Sequence, residues 1–356
     1  MKKILGAGPA GLCAAINLAR AGERVSVFER RPDVGLRFHP NLQGLKYVDT
    51  APQEFMKGMG VRSQIKYSYF SRLFFGTRGR DIELDIGRNK KIPFVERGGK
   101  NSLEYALYRE ARDLGAGFEF NSKAAPKEAD IIATGGTGCD FAAAGAIYED
   151  TDFPRDHFLA IFDDRYSPTG WYSYIFPISS DQVEFVNCVS QPHVPLLARL
   201  TEKALKERKI LRDFLSGKRK AASFAGSGSA RVPRTAFAGG KYYVGEAAGF
   251  QDPFMGFGIK HALASGKLAA DAMLHGKDYD SLWKAAILPD MKKDFARRFP
   301  LSLFGDAVPE LAMRRYCNGS IVDISNAAPE RFPLYKLVEE LFFQAECLKK
   351  DVTGYW

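Results

Sequence analysis

Residues 2–12 read Lys2-Lys3-Ile4-Leu5-Gly6-Ala7-Gly8-Pro9-Ala10-Gly11-Leu12; an alanine-rich run to Arg20, then Gly22, leads to Arg24-Val25-Ser26-Val27-Phe28-Glu29. Lys2–Leu5 suits a short buried strand, and residues 10–21 put Leu12, Ile16 and Ala19 on one helical face with Gly22 as the stop. Arg24–Glu29 alternates and returns as a second strand, which completes a βαβ unit and predicts a Rossmann-type domain. In such a unit Gly6 permits the tight turn, Gly8 lets the backbone approach a pyrophosphate, and Gly11 lets the helix pack on the sheet. Pro9 and Ala10 open a helix whose N-terminus offers free N–H groups and a positive dipole end to phosphates. Glu29 closes the second strand 18 residues after Gly11, placed to accept hydrogen bonds from both ribose hydroxyls, with Arg30 beside it. On these residues the nucleotide is either NAD or FAD.

The chain has 356 residues, 46% hydrophobic and 26% charged, which excludes wholesale disorder, collagen and coiled coil and allows two domains. Lys2 and Lys3 before an alanine-rich stretch imitate a secretory signal peptide, but the glycine pattern, Asn17 and Arg20 argue against one. No apolar run reaches 18 residues, so no membrane-spanning helix is expected. The five cysteines form no CxxC pair and the five histidines lack metal-ligand spacing, so neither a disulfide scaffold nor a metal site is expected. A reducing cytoplasm is the expected location, with peripheral membrane contact left open. The net charge of +9 suits solubility, an anionic membrane surface or an acidic partner. Basic residues stay in short runs such as Lys218-Arg219-Lys220, and no nucleic-acid binding is expected.

Residues 33–60, rich in Gly, Pro and Asn, read as an irregular excursion. Tyr67, Tyr69 and Phe74, then Ile82, Leu84 and Ile86, predict strands of a second layer. Ser102–Leu114 reads as a helix, and Phe118–Phe120 and Ala129–Ala133 as strands. Ile147 to Ser190 is dense in aromatic and β-branched residues and predicts an antiparallel sheet. Pro195–Leu215 reads as a charged helix, Tyr242–Val244 as a strand and Ile259–Leu274 as a helix with Gly266 on a close-packing face. Towards the carboxyl end Leu334, Leu337, Val338, Leu341, Phe342 and Ala345 recur at helical spacing, a core or interdomain stripe. The expected fold class is α/β: a discontinuous Rossmann-type domain (1–60, 95–140 and 240–275) interleaved with an antiparallel-sheet substrate domain (61–94 and 141–239). A helical carboxyl-terminal region (276–356) follows.

A second motif separates the two nucleotides. Residues 245–259 read Gly-Glu-Ala-Ala-Gly-Phe-Gln-Asp-Pro-Phe-Met-Gly-Phe-Gly-Ile. A strand ends at Gly245 and Glu246, and Pro253, Gly256, Phe257 and Gly258 lead into a helix at Ile259. Glu246 then stands beside a polyol, and the helix N-terminus points at electron-rich ligand atoms. A reduced flavin carries negative charge near N1 and O2, which such a dipole stabilises, so FAD is the expected cofactor.

With these motifs the chain resembles the flavoprotein monooxygenase and reductase superfamily of the p-hydroxybenzoate hydroxylase type, and within it the geranylgeranyl reductase family. Arg97 with the helix after it is similar to the family's arginine-plus-helix segment, where the arginine approaches the FAD. Ala133-Thr134-Gly135 resembles the superfamily's strand-to-glycine motif near the cofactor. Tyr172-Ser173-Tyr174-Ile175-Phe176-Pro177 is similar to the family's Tyr-x-Trp-x-Phe-Pro substrate motif, with Tyr174 in the tryptophan position. The resemblance spans residues 2–275. Glu246 stands where the superfamily usually has aspartate, and the short stretch between the strands at Phe118 and Ala129 leaves out a common strand meander. The family's loop cysteine is missing between Pro32 and Tyr47, which hold Arg37, His39, Asn41 and Gln43 instead.

The resemblance implies an FAD-dependent oxidoreductase that reduces C=C bonds of an isoprenoid chain, with NAD(P)H or ferredoxin as electron donor and an apolar or prenyl-lipid substrate. Tyr172, Tyr174 and Phe176 would line an apolar slot, with Ser173 and Ile175 facing away and Pro177 ending the ladder. The alternatives are a flavin monooxygenase (hydroxylase or halogenase-like, although the halogenase Trp-x-Trp-x-Ile-Pro signature is unmatched) and a flavin-binding protein without catalysis. His39 and His261, nearest the glycine motifs, are expected to be structural.

Overall fold

The computed structural model describes residues 1–46, 50–85, 92–316 and 336–344. Strand β1 (Lys2–Leu5) runs through Gly6 into α1 (Pro9–Arg20), and β2 (Val25–Phe28) returns parallel to β1 with Ile4 opposite Val27. After an excursion come β3 (Asn41–Gly44), α2 (Pro52–Gly58) and β4 (Tyr67–Ser68). The chain then builds β5 (Arg72–Thr77), β6 (Asp81–Asp85), β7 (Phe94–Arg97), α3 (Leu103–Asp113), β8 (Gly117–Glu119) and β9 (Ile131–Ile132). Next are β10 (Phe141–Glu149), β11 (His157–Phe162), β12 (Ser173–Pro177), β13 (Val183–Ser190), α4 (Leu197–Glu207), α5 (Lys209–Leu215) and β14 (Arg219–Gly228). The last elements are β15 (Phe237–Ala238), β16 (Lys241–Tyr243), α6 (Ile259–His275), α7 (Tyr279–Ala286), α8 (Leu288–Phe304) and α9 (Ala307–Tyr316).

The first layer is a six-stranded sheet in the order β15-β16-β9-β1-β2-β8. It is parallel from β16 to β8, with β15 as an antiparallel edge. Helix α1 is apolar almost all round because it is enclosed by this sheet and by α3 and α6.

The second layer is a seven-stranded sheet, β14-β10-β13-β12-β11-β5-β6. One face, carrying Leu159, Ile161, Ile175 and Phe185, packs under α4 and α5 through Ala204, Leu211 and Leu215. The opposite face carries Phe75, Phe162, Tyr172, Val186 and Cys188 and meets Met255 and Met313. A three-stranded sheet, β3-β7-β4, bridges the layers: Leu42 and Phe94 pack with Phe70 against Phe176.

Several expectations need correction. The seven-stranded sheet is not wholly antiparallel, because β5 and β11 pair in parallel. The chain between them crosses to the first layer and back, which is the long connection a parallel pair requires. The 33–60 excursion contains β3 and α2, and Tyr67 belongs to the small bridging sheet. The 195–215 helix is broken at Arg208, whose extended backbone separates α4 from α5. Strand β14 was hidden by its exposed Ser, Gly and Ala content. Residues 336–344 are helical, but Leu337 and Leu341 are exposed; Phe342 packs on Phe299 at 4.4 Å and Phe343 is buried. Ile86, Leu334 and Ala345 lie outside the described residues.

Candidate functional site

Because β1 and β16 run in the same direction, α1 and α6 both start at the carboxyl edge of the first sheet. Neither N-cap, Gly8 or Gly258, supplies a side-chain cap, whereas Ser102 and Asp278 cap α3 and α7. Two helix ends thus present unsatisfied N–H groups at one edge, the arrangement an anionic ligand completes. Gly6 has φ 107°, and a Cβ on it would fall 2.3 Å from the Ala133 carbonyl oxygen. A Cβ on Gly11 would lie 2.0 Å from the Gly6 oxygen, but one on Gly8 would meet nothing within 4 Å. The turn is closed behind and open in front, as a phosphate approach requires.

Glu29 stands at the end of β2 with its carboxylate fixed by two backbone donors. Ala7 N–H donates to Oε2 and Arg31 N–H to Oε1, each at 2.9 Å. A carboxylate has about four lone-pair sites, so acceptors remain for ribose hydroxyls. Arg30 is exposed, and Thr134 is exposed at the end of β9 beside Gly135.

Glu246 lies next to this turn. Its Oε1 accepts from Ser229 N–H at 3.1 Å, and its Oε2 is 3.5 Å from Arg37 Nη1. Arg37 passes over Gly135, and Gly136 is close enough that a Cβ would sit 2.8 Å from Glu246 Oε1. Gly245 is packed against Ala10, so the two glycine motifs share one region. Gly256 and Gly258 flank Phe257, whose ring lies against Gly44 of β3. Pro253 is buried and Ile259 begins α6 in the core.

Arg97 is buried, with Nε 2.5 Å from Glu104 Oε1, its guanidinium bonded to Gln43, and Phe38 4.5 Å away. The guanidinium therefore ties β7 to α3 and β3. His39 is exposed.

Tyr172, Tyr174 and Phe176 share one face, with successive ring centroids 5.9 and 4.6 Å apart. Ser173 and Ile175 point the other way, Ser173 to Asn187 at 2.7 Å. Tyr172 hydroxyl donates to Met255 O at 2.6 Å, which fastens the aromatic strand to the loop before α6. Phe176 is 4.7 Å from Phe94 and stacks on Phe70 at 5.9 Å. Pro177 is the last residue of the β12–β13 ladder, opposite Val183, and Ile178 N–H reaches Gln182 O at 2.9 Å in the turn that follows.

The sequence reading missed a buried charged cluster under this loop. Lys46, at the end of β3, pairs with Asp294 of α8 and lies 3.9 Å from Asp252 Oδ2. Asp252 Oδ1 accepts from Phe254 N–H (2.6 Å) and Met255 N–H (3.3 Å), shaping the turn. Burial opposes the charge on Lys46, but Asp252 and Asp294 hold its pKa above the ordinary value. Burial and then Asp252 push Asp294 up to about 7, against the pull of Lys46. His261 is buried beside them with both ring nitrogens unpartnered, and burial and then Lys46 bring it down to about 3, so it is neutral. No pattern in the sequence joins Lys46 to Asp294; only Asp252, inside the glycine motif, carried a signal.

These residues fit a flavin dinucleotide: two uncapped helix ends for charge, two carboxylates for sugar hydroxyls, and an open approach at Gly8. The NAD(P)-binding Rossmann-like domain family matches residues 4–72. The small chain of NADPH glutamate synthase from Escherichia coli (strain K12) is 38% identical over 114 residues, which is 31% of this chain and 22% of that protein. The chain thus spans about a fifth of that curated relative. A geranylgeranyl bacteriochlorophyll reductase-like protein from Thermoplasma acidophilum superposes with a TM-score of 0.75 at 16% identity, over 95% of this chain and 98% of that one. A flavin-dependent brominase gives 0.61 at 15% identity over 99% of each chain. A probable FAD-dependent monooxygenase from Pseudomonas aeruginosa gives 0.58 at 14% identity, over 84% of this chain and 96% of that one. The chain therefore has the flavoprotein fold that geranylgeranyl reductase-like proteins share with flavin halogenases and monooxygenases, built on an amino-terminal Rossmann-type domain.

Proposed function

We propose that the protein is an FAD-dependent oxidoreductase that reduces C=C bonds of an isoprenoid, geranylgeranyl-type chain. The observation that carries this reading is the Tyr172–Met255 hydrogen bond, which docks an aromatic strand onto the loop feeding α6. The part-exposed ring of Tyr174, backed by Phe176 packed on Phe70 and Phe94, offers apolar contact along which a prenyl chain aligns while water is excluded. FAD, when bound, supplies hydride chemistry at its N5. Glu29 would hold the ribose hydroxyls and Glu246 the ribityl chain, and the α6 N-terminus would favour the reduced, negatively charged ring. The electron donor is NAD(P)H or ferredoxin, and the net charge of +9 suits an acidic donor protein. Among the described residues no helix is long and apolar enough to cross a membrane.

The test is the absorption spectrum of purified protein, followed by anaerobic photoreduction and addition of a prenyl alcohol. Reoxidation of the flavin with a product that has gained two hydrogens per bond is the expected result. A colourless protein that cannot be reconstituted with FAD sinks the reading. A second reading, a monooxygenase, is favoured by the brominase and monooxygenase folds; rapid oxygen consumption with NAD(P)H and no prenyl product would establish it.

Two substitutions separate cofactor from substrate. Glu246→Gln is expected to retain flavin, whereas Glu246→Leu releases it, costing about 1–3 kcal/mol for the lost charged acceptor. Full flavin occupancy in the leucine variant would make the acid a structural partner of Ser229 and Arg37. Tyr174→Ala is expected to keep flavin content and lose prenyl turnover, with short soluble substrates affected less. Parallel loss of flavin and turnover would assign the ring to sheet packing.

A further inference from the structure

Strand β13 is apolar except where Glu184 and Asn187 interrupt it, and the two point to opposite faces. The register sets Glu184 opposite Phe176 and Val186 opposite Tyr174, so Glu184 belongs to the aromatic face. Among the described side chains that β11, β12 and β13 turn to that face, Glu184 is the only carboxylate and none is a Lys, Arg or His. Glu184 is fully buried. Its Oε1 accepts from Leu42 N–H at 3.1 Å, while Oε2 has no partner. Leu42 lies two residues before Gly44, the position in contact with Phe257 of the glycine-rich loop. The carboxyl group thus sits where the aromatic face meets the nucleotide-binding layer.

We infer that Glu184 is the internal acid that protonates the substrate during C=C reduction, with its Oε2 as the donor atom. The inference rests on the reductase reading above. A carboxyl that served only to anchor β3 would need one acceptor oxygen, and a second oxygen buried without a partner would be a plain cost of about 1–3 kcal/mol. A carboxylic acid holding its proton on Oε2 has a use for that position on the aromatic face, beside Asn41, whose Oδ1 is likewise buried without a partner. Burial pushes the group up to about 8, while the bonds from Leu42 N–H and the Asn41 side chain pull the other way. At neutral pH it keeps its proton. In the step, the alkene π pair forms a C–H bond to the Glu184 proton as the O–H bond breaks, leaving a carboxylate that solvent reprotonates. The hydride that completes the two-electron reduction at the adjacent carbon would be supplied by reduced flavin, when bound.

The groups facing Glu184 do not confuse its titration. Tyr174 on β12 is pushed well above its ordinary value by burial, and Cys188 on β13 up to about 12. Glu96 on β7, paired with Leu42 across the small sheet, is raised by burial, with Lys66 opposing.

The test compares flavin-loaded wild type with Glu184→Gln. Infrared spectroscopy across about pH 6 to 10 is expected to show a buried carboxylic C=O band that titrates near pH 8 and is missing from the variant. In single-turnover reoxidation of photoreduced protein by geranylgeraniol, the variant is expected to be about 100-fold slower or more, the scale of losing a positioned acid. Its flavin content and its reoxidation by ferricyanide should match wild type. The wild-type rate should fall as pH rises through about 8, and the variant should lack that limb. A wild type without the infrared band overturns the assignment whatever the variant does. So does a variant that reduces geranylgeraniol at the wild-type rate, with the reductase reading left standing. A wild type that shows the band but leaves prenyl alcohols unreacted overturns the reductase reading and the assigned proton acceptor together.

Discussion

Lys46→Met is expected to cost about 3–5 kcal/mol of stability at pH 8, the penalty for leaving buried carboxylates without their cation. Asp252 is fully buried and Asp294 nearly so; Arg297 lies 3.6 Å from Asp294 Oδ1, and buried Arg298 also feels the Asp252 charge. The loss should shrink in acid. Asp294 has a folded-state pKa raised to about 7 against an ordinary value near 4, so its contribution is fully present below about pH 4 and fades as pH rises through about 7. Without Lys46 the carboxyl is raised further, and the gap between variant and wild type widens with pH. Urea unfolding at about pH 5 and pH 8 measures both numbers. A deficit below about 1 kcal/mol at pH 8 would mean that water already reaches the cluster. Since Lys46 also ties β3 and α8 to Asp252 of the glycine-rich loop, flavin occupancy should fall with stability. Adding Asp294→Asn should recover part of the loss, because one of the stranded charges is then gone.

Gly266→Ala is expected to destabilise by about 1–3 kcal/mol through overpacking, and Gly266→Val by more. A Cβ there would stand 2.2 Å from Ala10 O and 3.2 Å from Ala14 N. Both are backbone atoms of α1, so no flexible side chain can move aside. Helix propensity alone predicts the opposite sign, a gain of about 1 kcal/mol from replacing a mid-helix glycine. The sign of the measured change therefore decides between them. A stabilised alanine variant would show that α1 and α6 do not touch. Because both helices aim their N-termini at the same edge, separating them should also lower flavin affinity.

The parts of this architecture that follow local rules were legible in the sequence. Residues 2–29 carry period, turn and stop signals within one contiguous stretch, and β1, α1 and β2 fall within one or two residues of the expected ends. Tyr172, Tyr174 and Phe176 alternate with Ser173 and Ile175, so period-two geometry alone assigns their faces. What escaped is set by pairing across long separations. Strand β3 has a single large apolar residue, Leu42, and exists because β7 hydrogen-bonds to it. The β5–β11 pairing joins residues 72 and 157 and leaves no local trace. Lys46 lies in the stretch that reads as an irregular excursion and Asp294 in the helical carboxyl-terminal region, with nothing local to pair them. Glu184 did leave a trace, an acid inside the apolar run 183–189, which in a strand buried on both faces needs a reason.

Strand β16 inserts beside β9, and α6 then lies along α1, although both elements are encoded after residue 240. During synthesis, at about 5–20 residues per second, the amino-terminal βαβ unit therefore emerges with its sheet edge and helix flank still bare. It waits through the whole intervening seven-stranded sheet before the strand that covers it appears. The β9 edge is the exposed template in that interval, the kind of unpaired strand that recruits wrong partners. Release of the nascent chain from this state depends on residues 241–275, so truncations just before Lys241 should yield aggregates bound by chaperones, whereas those beyond His275 should leave a sheet that is already closed.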